Sequence, residues 1–426
     1  MQRVGNGILG ATSGTRVLAI LLFAYIFNFI DRQIVGILAV PIKAELQLSD
    51  VQLGLMGGLA FALFYTGLGI PIAWLADRKS RVSIIAVSLA LWSGFTALCG
   101  FAQNFWQLFV ARMGVGIGEA GGVAPSYALI SDFFPPERRA RALAIFSFGI
   151  PIGAALGIFF GGWIASNLDW RSAFVIVGLA GVVLVPLVKM GIREPVRGGY
   201  DSADGRASAD APPFPVVAKR LAATPSFWLL SFGSASGSIL GYGLIFWLPS
   251  FFSRSFGLEL IEVSWFYGSI ILVGGLAGTW LGGWLGDRVG KANPGAYALI
   301  PAVCFLIAAP AYAAGIFAPS LAVGFVLFLV PQALGLAWLG PILAAVQHIV
   351  PPNMRATASA SFLFINNLLG IGFGTWFFGF MSDRMIATYG VDALQYSILY
   401  GLGFYLLSSA IYFIAAWRLK RDWYRG

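Results

Sequence analysis

Apolar residues along the chain gather into long runs separated by short charged or Gly/Pro-rich breaks, and the first run sets the reading of the others. Positions 17–41, VLAILLFAYIFNFIDRQIVGILAVP, are long enough to cross a bilayer, because roughly 20 residues at about 1.5 Å each span its hydrocarbon core. Yet Asp31 and Arg32 sit side by side near the middle of this run. Each central charge costs about 2.5–3.5 kcal/mol to insert, and neither is close enough to an end to reach the headgroups. The pair therefore requires polar partners or a hydrated cavity. The pattern recurs to predict twelve spans, roughly 17–41, 51–75, 82–101, 106–130, 141–165, 171–191, 226–251, 263–285, 295–315, 320–346, 357–381 and 394–417. The predicted fold class is an all-α membrane protein with twelve transmembrane helices in two six-helix bundles.

Charge then orients the spans. Of the 27 Lys and Arg, 21 fall in the termini and in the connections on the same side as the termini, and 4 (Lys43, Arg171, Arg254, Arg384) on the other. The remaining two, Arg32 and Arg112, lie inside spans. Cations collect on the cytoplasmic side, so both termini and the long central segment are expected there, in the cell membrane. The organisation reads as a tail (1–16), a first bundle (17–192), a linker rich in Gly, Ser, Asp and Pro (193–225), a second bundle (226–417) and a tail (418–426).

Composition agrees and excludes other classes. The chain has 426 residues, 58% hydrophobic and 11% charged, against about 45–50% and 25% in soluble proteins. Its net charge of +9 is explained by topology, so no nucleic-acid partner is implied. Cys99 and Cys304 stand far apart in apolar runs, with neither metal-ligand spacing nor a disulfide framework. A single histidine, His348, at the cytoplasmic end of the tenth span, leaves no catalytic triad and no metal cluster to assemble. No enzyme activity, metal or cofactor is expected. Gly116-x-Gly118-x-x-Gly121 imitates a dinucleotide fingerprint but lies inside a span with no preceding strand, which makes it a packing surface. Gly149, Gly153, Gly157 and Gly161 give the fifth span a continuous small-residue face.

The two halves look like copies. Ala73-Trp-Leu-Ala-Asp77-Arg78-Lys-Ser-Arg81 follows the second span, and Gly283-Trp-Leu-Gly-Asp287-Arg288-Val-Gly-Lys291 follows the eighth. Phe134-Pro-Pro-Glu-Arg-Arg-Ala-Arg-Ala before the fifth span is echoed by Val350-Pro-Pro-Asn-Met-Arg-Ala-Thr-Ala before the eleventh. With these residues the chain resembles the major facilitator superfamily over nearly its whole length, whose halves are parallel repeats. That resemblance implies a cytoplasmic gate at Asp77, Arg78, Asp287 and Arg288. Asn28-Phe-Ile-Asp31-Arg32-Gln, Arg112-Met-Gly-Val-Gly-Ile-Gly118-Glu119-Ala and Ala144-Ile-Phe-Ser-Phe-Gly-Ile-Pro151-Ile-Gly153 are similar to the Spinster-like transporters. This implies a lysophospholipid or sphingosine-phosphate type of cargo and proton coupling.

Four charges lie deep in the spans: Asp31, Arg32, Arg112 and Glu119. Asp31 is about 21 Å along the first helix, while Arg112 and Glu119 lie about 9 and 20 Å into the fourth from its opposite end. Arg112 is then level with Asp31 and can pair with it. Residues seven apart share a helical face, so Glu119 looks the same way. Asp31 and Glu119 are the candidate proton-coupling carboxylates. Arg32 and Arg112 serve charge pairing and the substrate headgroup, one balancing a carboxylate while Arg32 faces an anionic head through its planar fork. The bland alternative is a fixed salt-bridge cluster that orients two helices. In the second bundle Tyr242, Phe246, Trp247, Gln332, Trp338, Asn366 and Asn367 are the candidate cavity lining, an aromatic wall for the tail of a small amphiphile. The expected protein is a monomer in membrane lipid that works by alternating access on protons and an anionic amphiphile. A carrier for small organic anions or drugs is the alternative. A membrane sensor would bring a signalling domain, and no Gly-x4-Gly-Lys loop for ATP is present.

Overall fold

A computed structural model describes residues 13–76, 78–195, 212–290 and 293–424. These residues are helical almost throughout and carry no strand. The first six crossings begin with α1 (Gly14–Ile37) continued by α2 (Ala39–Leu46). They go on through α3 (Asp50–Gly54) joined by a π-turn to α4 (Ala60–Ala76), α5 (Arg81–Cys99), α6 (Phe105–Glu119) with α7 (Val123–Phe133), α8 (Pro136–Ser147) with α9 (Gly149–Asn167), and α10 (Trp170–Gly191). A short helix, α11 (Phe214–Ala222), falls inside the segment read as a flexible linker.

The second six are α12 (Pro225–Phe256), α13 (Leu260–Leu285), α14 (Ala296–Ile316), α15 (Leu321–Leu336) with α16 (Leu339–His348), α17 (Arg355–Asn367) joined by a π-turn to α18 (Gly374–Tyr389), and α19 (Ala393–Gly401) with α20 (Gly403–Asp422). Ten described stretches are long and apolar enough to cross a membrane, and one of them, Thr357–Asp422, runs 66 residues and holds two crossings broken at Gly390–Asp392. The split pair α6 and α7 makes the twelfth. With an even number of crossings among the described residues, the start of α1 and the end of α20 lie at one end.

Small residues let the helices close on one another. The four glycines of α9 meet α1 in order: a Cβ on Gly149 would touch Tyr25, on Gly153 the Ile26 carbonyl at 2.4 Å, on Gly157 the Ile30 carbonyl at 2.7 Å and on Gly161 Ile34. This row seats α1 and fixes the rotation that turns Asp31 into the bundle. In both repeated loops the arginine lies over the tryptophan four residues before it, at 3.9 Å for Arg78 on Trp74 and 5.3 Å for Arg288 on Trp284, although the first loop leaves its helix at Ala76 and the second runs on as a π-turn over Gly286–Gly290. Asp77 and the Asp287 side chain lie outside the described residues.

Contacts between the bundles gather at the end opposite the termini. A Cβ at Gly57 would run into the Phe246 ring, and at Gly54 it would lie 2.5 Å from the Thr375 carbonyl. Ser264 packs on Gly162 in the same half. The two bundles are thus closed at the far end.

Candidate functional site

The charged site is assembled from the first bundle alone. Asp31 and Arg32 ride on α1 about two turns before it breaks at Leu38, and Arg112 and Glu119 ride on α6. Glu119 is the last residue of α6. There Gly122 donates to the Glu119 carbonyl at 3.0 Å instead of to a residue four back, so Ala120–Gly122 interrupts the crossing next to the carboxylate. The span read over 106–130 is thus one crossing made of two helices, α6 and α7. Gly121, Gly122 and Pro125 favour the break, and the glycines of α6 press α6 on its neighbours, since a Cβ on Gly118 would reach the Trp92 nitrogen at 2.4 Å.

Two crossed ion pairs result. Arg32 Nε donates to Glu119 Oε2 at 2.7 Å, and Arg112 Nη1 donates to Asp31 Oδ1 at 3.4 Å. Thr96 of α5 donates its hydroxyl to Asp31 Oδ2 at 2.6 Å. The four formal charges cancel, which is what a low-dielectric interior requires. The division of labour differs from the expectation: each arginine holds one carboxylate, and Arg32 is not left free. Glu119 is 0% exposed and Asp31 and Arg112 are 2%, whereas the Arg32 side chain keeps 12%. Its guanidinium lies 4.5 to 5.0 Å from the ring centroids of Phe29, Phe61 and Tyr65, an aromatic collar that favours a cation.

Several polar atoms of the site are buried with no hydrogen-bond partner among the described residues: Arg32 Nη2, Arg112 Nε, Glu119 Oε1 and both amide atoms of Asn28. Asn28 stands one turn before Asp31 and lines a small cavity with Tyr25, Trp92 and Ser126. Free donors and acceptors beside neutralised charges are positioned to take a proton, a water or a ligand atom.

The second bundle divides the candidate lining residues. Tyr242 is half-buried and within electrostatic reach of Arg32, and Phe246 forms the roof where α12 meets Gly57. Trp338 and Asn367 are half-buried, Trp338 against Phe362. Trp247 is fully buried and donates to the Thr375 carbonyl at 2.8 Å. Gln332 accepts from Tyr312 at 3.1 Å, and Asn366 accepts from Ser238 at 2.8 Å. These three side chains face their own bundle because their polar atoms find partners there, and the expectation that they line the cavity is corrected.

A second charged cluster, at the far end, was not anticipated. Asp50, at the start of α3 and 1% exposed, receives Arg254 Nη1 and Nη2 at 2.7 and 2.8 Å, Lys43 Nζ at 2.5 Å and Ser382 Oγ at 2.7 Å. Asp383 of α18 in turn accepts the backbone N–H groups of Asp50 and Val51 at 3.1 and 2.8 Å, capping α3 from the other bundle. Lys43 and Arg254 are two of the four sparse cations on that side, and an acid at a span start opposite them was the available signal.

Fold and site together define a two-bundle, multi-pass membrane transporter with a neutralised charge cluster in its first half. The sequence profile of the Major Facilitator Superfamily matches residues 21–375. An "MFS-type efflux pump" of Mycolicibacterium smegmatis is 34% identical over 93% of this chain and 91% of its own length. "Protein spinster homolog 1" of Xenopus tropicalis is 29% identical over 87% of this chain and 73% of its own. The crystal structure of a bacterial homologue of the human lysosomal transporter Spinster, inward-facing and unoccupied, superposes with a TM-score of 0.88 at 32% identity, covering 98% of this chain and 100% of that one. The chain belongs to the Major Facilitator Superfamily, as a Spinster-like transporter. Proteins of this superfamily are transporters and not enzymes, so the chain takes a small-molecule substrate across a membrane in which it is embedded.

Proposed function

We propose that the chain is a proton-coupled secondary transporter of the cell membrane that moves a lysolipid-like or sphingosine-phosphate-like anionic amphiphile by alternating access. The observation that carries this reading is Arg32, held by Glu119 yet the one member of the cluster with access to solvent. Protonation of Glu119 cancels its charge and leaves Arg32 a cation without its counter-ion, ready for an anionic head. Deprotonation restores the pair and releases the head. Arg112 meanwhile holds Asp31, which Thr96 also binds. Tyr242 and Phe246 supply an aromatic side for the tail. With cations marking the cytoplasmic face, the far-end closure makes this an inward-facing state, with Asp77, Arg78, Asp287 and Arg288 as the counter-gate that closes when the far end opens.

A carrier for small organic anions or drugs is a second reading, with which the printed name of the mycobacterial relative, an efflux pump of unstated cargo, is compatible. Counterflow in proteoliposomes separates the two. Labelled lysophospholipid exchanging while simple organic anions do not supports the amphiphile, and the converse selects the alternative.

Two further results are expected. Arg32→Lys keeps the charge but loses the planar fork, so affinity for a phosphate-headed amphiphile should fall about tenfold, corresponding to about 1.4 kcal/mol. Equal affinity for phosphate-headed ligand in parent and variant, measured by scintillation proximity, would remove Arg32 from the headgroup site. A cysteine placed at Ser208 should react with an impermeant maleimide only from the cytoplasmic side, and labelling of intact cells from outside would invert the topology.

A further inference from the structure

The short helix α11 and the end of α20 build a pocket that the transport cycle does not use. α11 packs Val217 and Leu221 inward and leaves Phe214 and Val216 63% and 50% exposed. Its last turn carries Lys219 and Arg220. The chain after α20 is held in place opposite it. Asp422 accepts the Ser226 backbone N–H at 3.1 Å, Trp423 stacks on His348 at 4.7 Å and Tyr297 at 5.6 Å, and Tyr424 donates its N–H to the His348 carbonyl at 2.9 Å. His348 is thus part of the scaffold of this pocket.

Between the two elements lies a cavity of ≈ 700 Å³ whose charged wall consists of Arg220, Lys420 and Arg421 against a single acid, Asp422. That acid is already engaged by the Ser226 N–H and by Arg418. Arg421 is presented over the Trp417 ring at 4.2 Å, which orders its guanidinium. The wall therefore offers an excess of positive charge in a space large enough for a phosphate ester with its glycerol. Val216, exposed and one turn before Arg220 on the same face of α11, stands next to this wall. A short helix that packs one apolar side on the protein and turns its cations, with Val216 between them, outward is placed to meet a membrane interface.

We propose that this pocket binds the headgroup of an anionic phospholipid from the leaflet on the side of the termini, with Arg220, Lys420 and Arg421 on the phosphate and the acyl chains leaving past Val216. Occupation bridges α11 and the end of α20, and so ties the segment between the bundles to the second one. The site is separate from Arg32 and does not depend on the transported substrate.

The test uses the full chain, purified and returned to phosphatidylcholine nanodiscs with increasing dioleoyl phosphatidylglycerol. Thermal stability should rise saturably with the anionic lipid, and native mass spectrometry should show it retained. The triple variant Arg220→Ala, Lys420→Ala, Arg421→Ala should weaken lipid affinity about a hundredfold, since each cation at a membrane surface contributes about fivefold, so that its Tm rise no longer saturates at any lipid fraction. Its Tm in phosphatidylcholine alone should match the parent. Should the triple variant not fold, Arg421→Gln alone should produce about a fivefold shift. The control Arg138→Ala, Arg141→Ala removes two exposed cations elsewhere on the same side and should leave the lipid response within about twofold. The proposal is overturned if the control loses as much as the pocket variant, which would mean diffuse surface charge. It is equally overturned if inorganic phosphate gives the same Tm rise as the lipid, which would mean a free-anion site, or if the pocket variants respond as the parent does.

Discussion

Glu119→Gln is expected to abolish accumulation driven by a proton gradient while binding and substrate counterflow stay within about threefold of the parent. The substitution is nearly isosteric, and its amide oxygen can still accept from Arg32 Nε, now 2.7 Å from Glu119 Oε2. The lost property is the ability to exchange a charged state for a neutral one. Arg32 then stands permanently as it would beside a protonated Glu119, open to an anionic head but uncoupled from pH. Arg112→Ala should be more damaging than this, because it leaves Asp31 buried with only Thr96 as a partner. Breaking one side of a buried pair costs about 3–5 kcal/mol. That variant is expected to lose both binding and thermal stability. Measuring gradient-driven flux, counterflow and binding for both variants in the same vesicles separates the effects. If Glu119→Gln responds to the gradient as the parent does, the cluster is a fixed structural brace and the coupling carboxylate lies elsewhere.

The parts of this architecture that depend on hydrophobic period were legible in the sequence. The span read over 51–75 is helical from Asp50 to Ala76, π-turn included, and the glycines at 149, 153, 157 and 161 do form one packing row. Estimating depth from rise per residue put Arg112 level with Asp31, and the two are paired. What escaped was the partner of Glu119. Arginine side chains are long enough that Arg32 reaches Glu119, which lies about two turns of α6 beyond Arg112. A backbone estimate alone does not resolve which arginine takes which acid. Polarity likewise failed to tell cavity from bundle interior: Gln332 reads as a cavity residue, but Tyr312, twenty residues away, satisfies it. The break at Ala120–Gly122 was hidden because an apolar run continues across it. α11 was hidden because its nine residues follow a long polar stretch and precede a proline.

The far-end cluster was the least legible, since charged residues at span ends are ordinary and its hydrogen-bonded partners lie up to 333 positions apart. It is also where a single change should move the conformational equilibrium furthest. Asp50 is the one acid on which Arg254 converges with both terminal nitrogens, while Ser382 adds a third bond from the second bundle. Lys43 comes from its own bundle and does not bridge. Hydrogen bonds to charged groups contribute about 1.5–3 kcal/mol each, and these three bonds to the Asp50 carboxylate would have to break for the far end to open there. Asp50→Asn removes the charge that strengthens them but keeps the shape, so it should shift the population toward the far-end-open state by ten- to a hundredfold. Arg254→Gln should do the same to a smaller extent, because Ser382 and Asp383 still bridge, and Ser382→Ala should do least. Spin labels at Gln103 and Thr388, both exposed and on opposite bundles at that end, report the opening as a longer distance in pulsed resonance. The carrier should also bind an outward-state inhibitor or nanobody more tightly in the same order. A shift follows only if the bonds are broken in the open state, since a contact kept in both states biases neither. Identical distance distributions in the parent, Asp50→Asn and Arg254→Gln would therefore show that this cluster moves as one body with both bundles and is no gate.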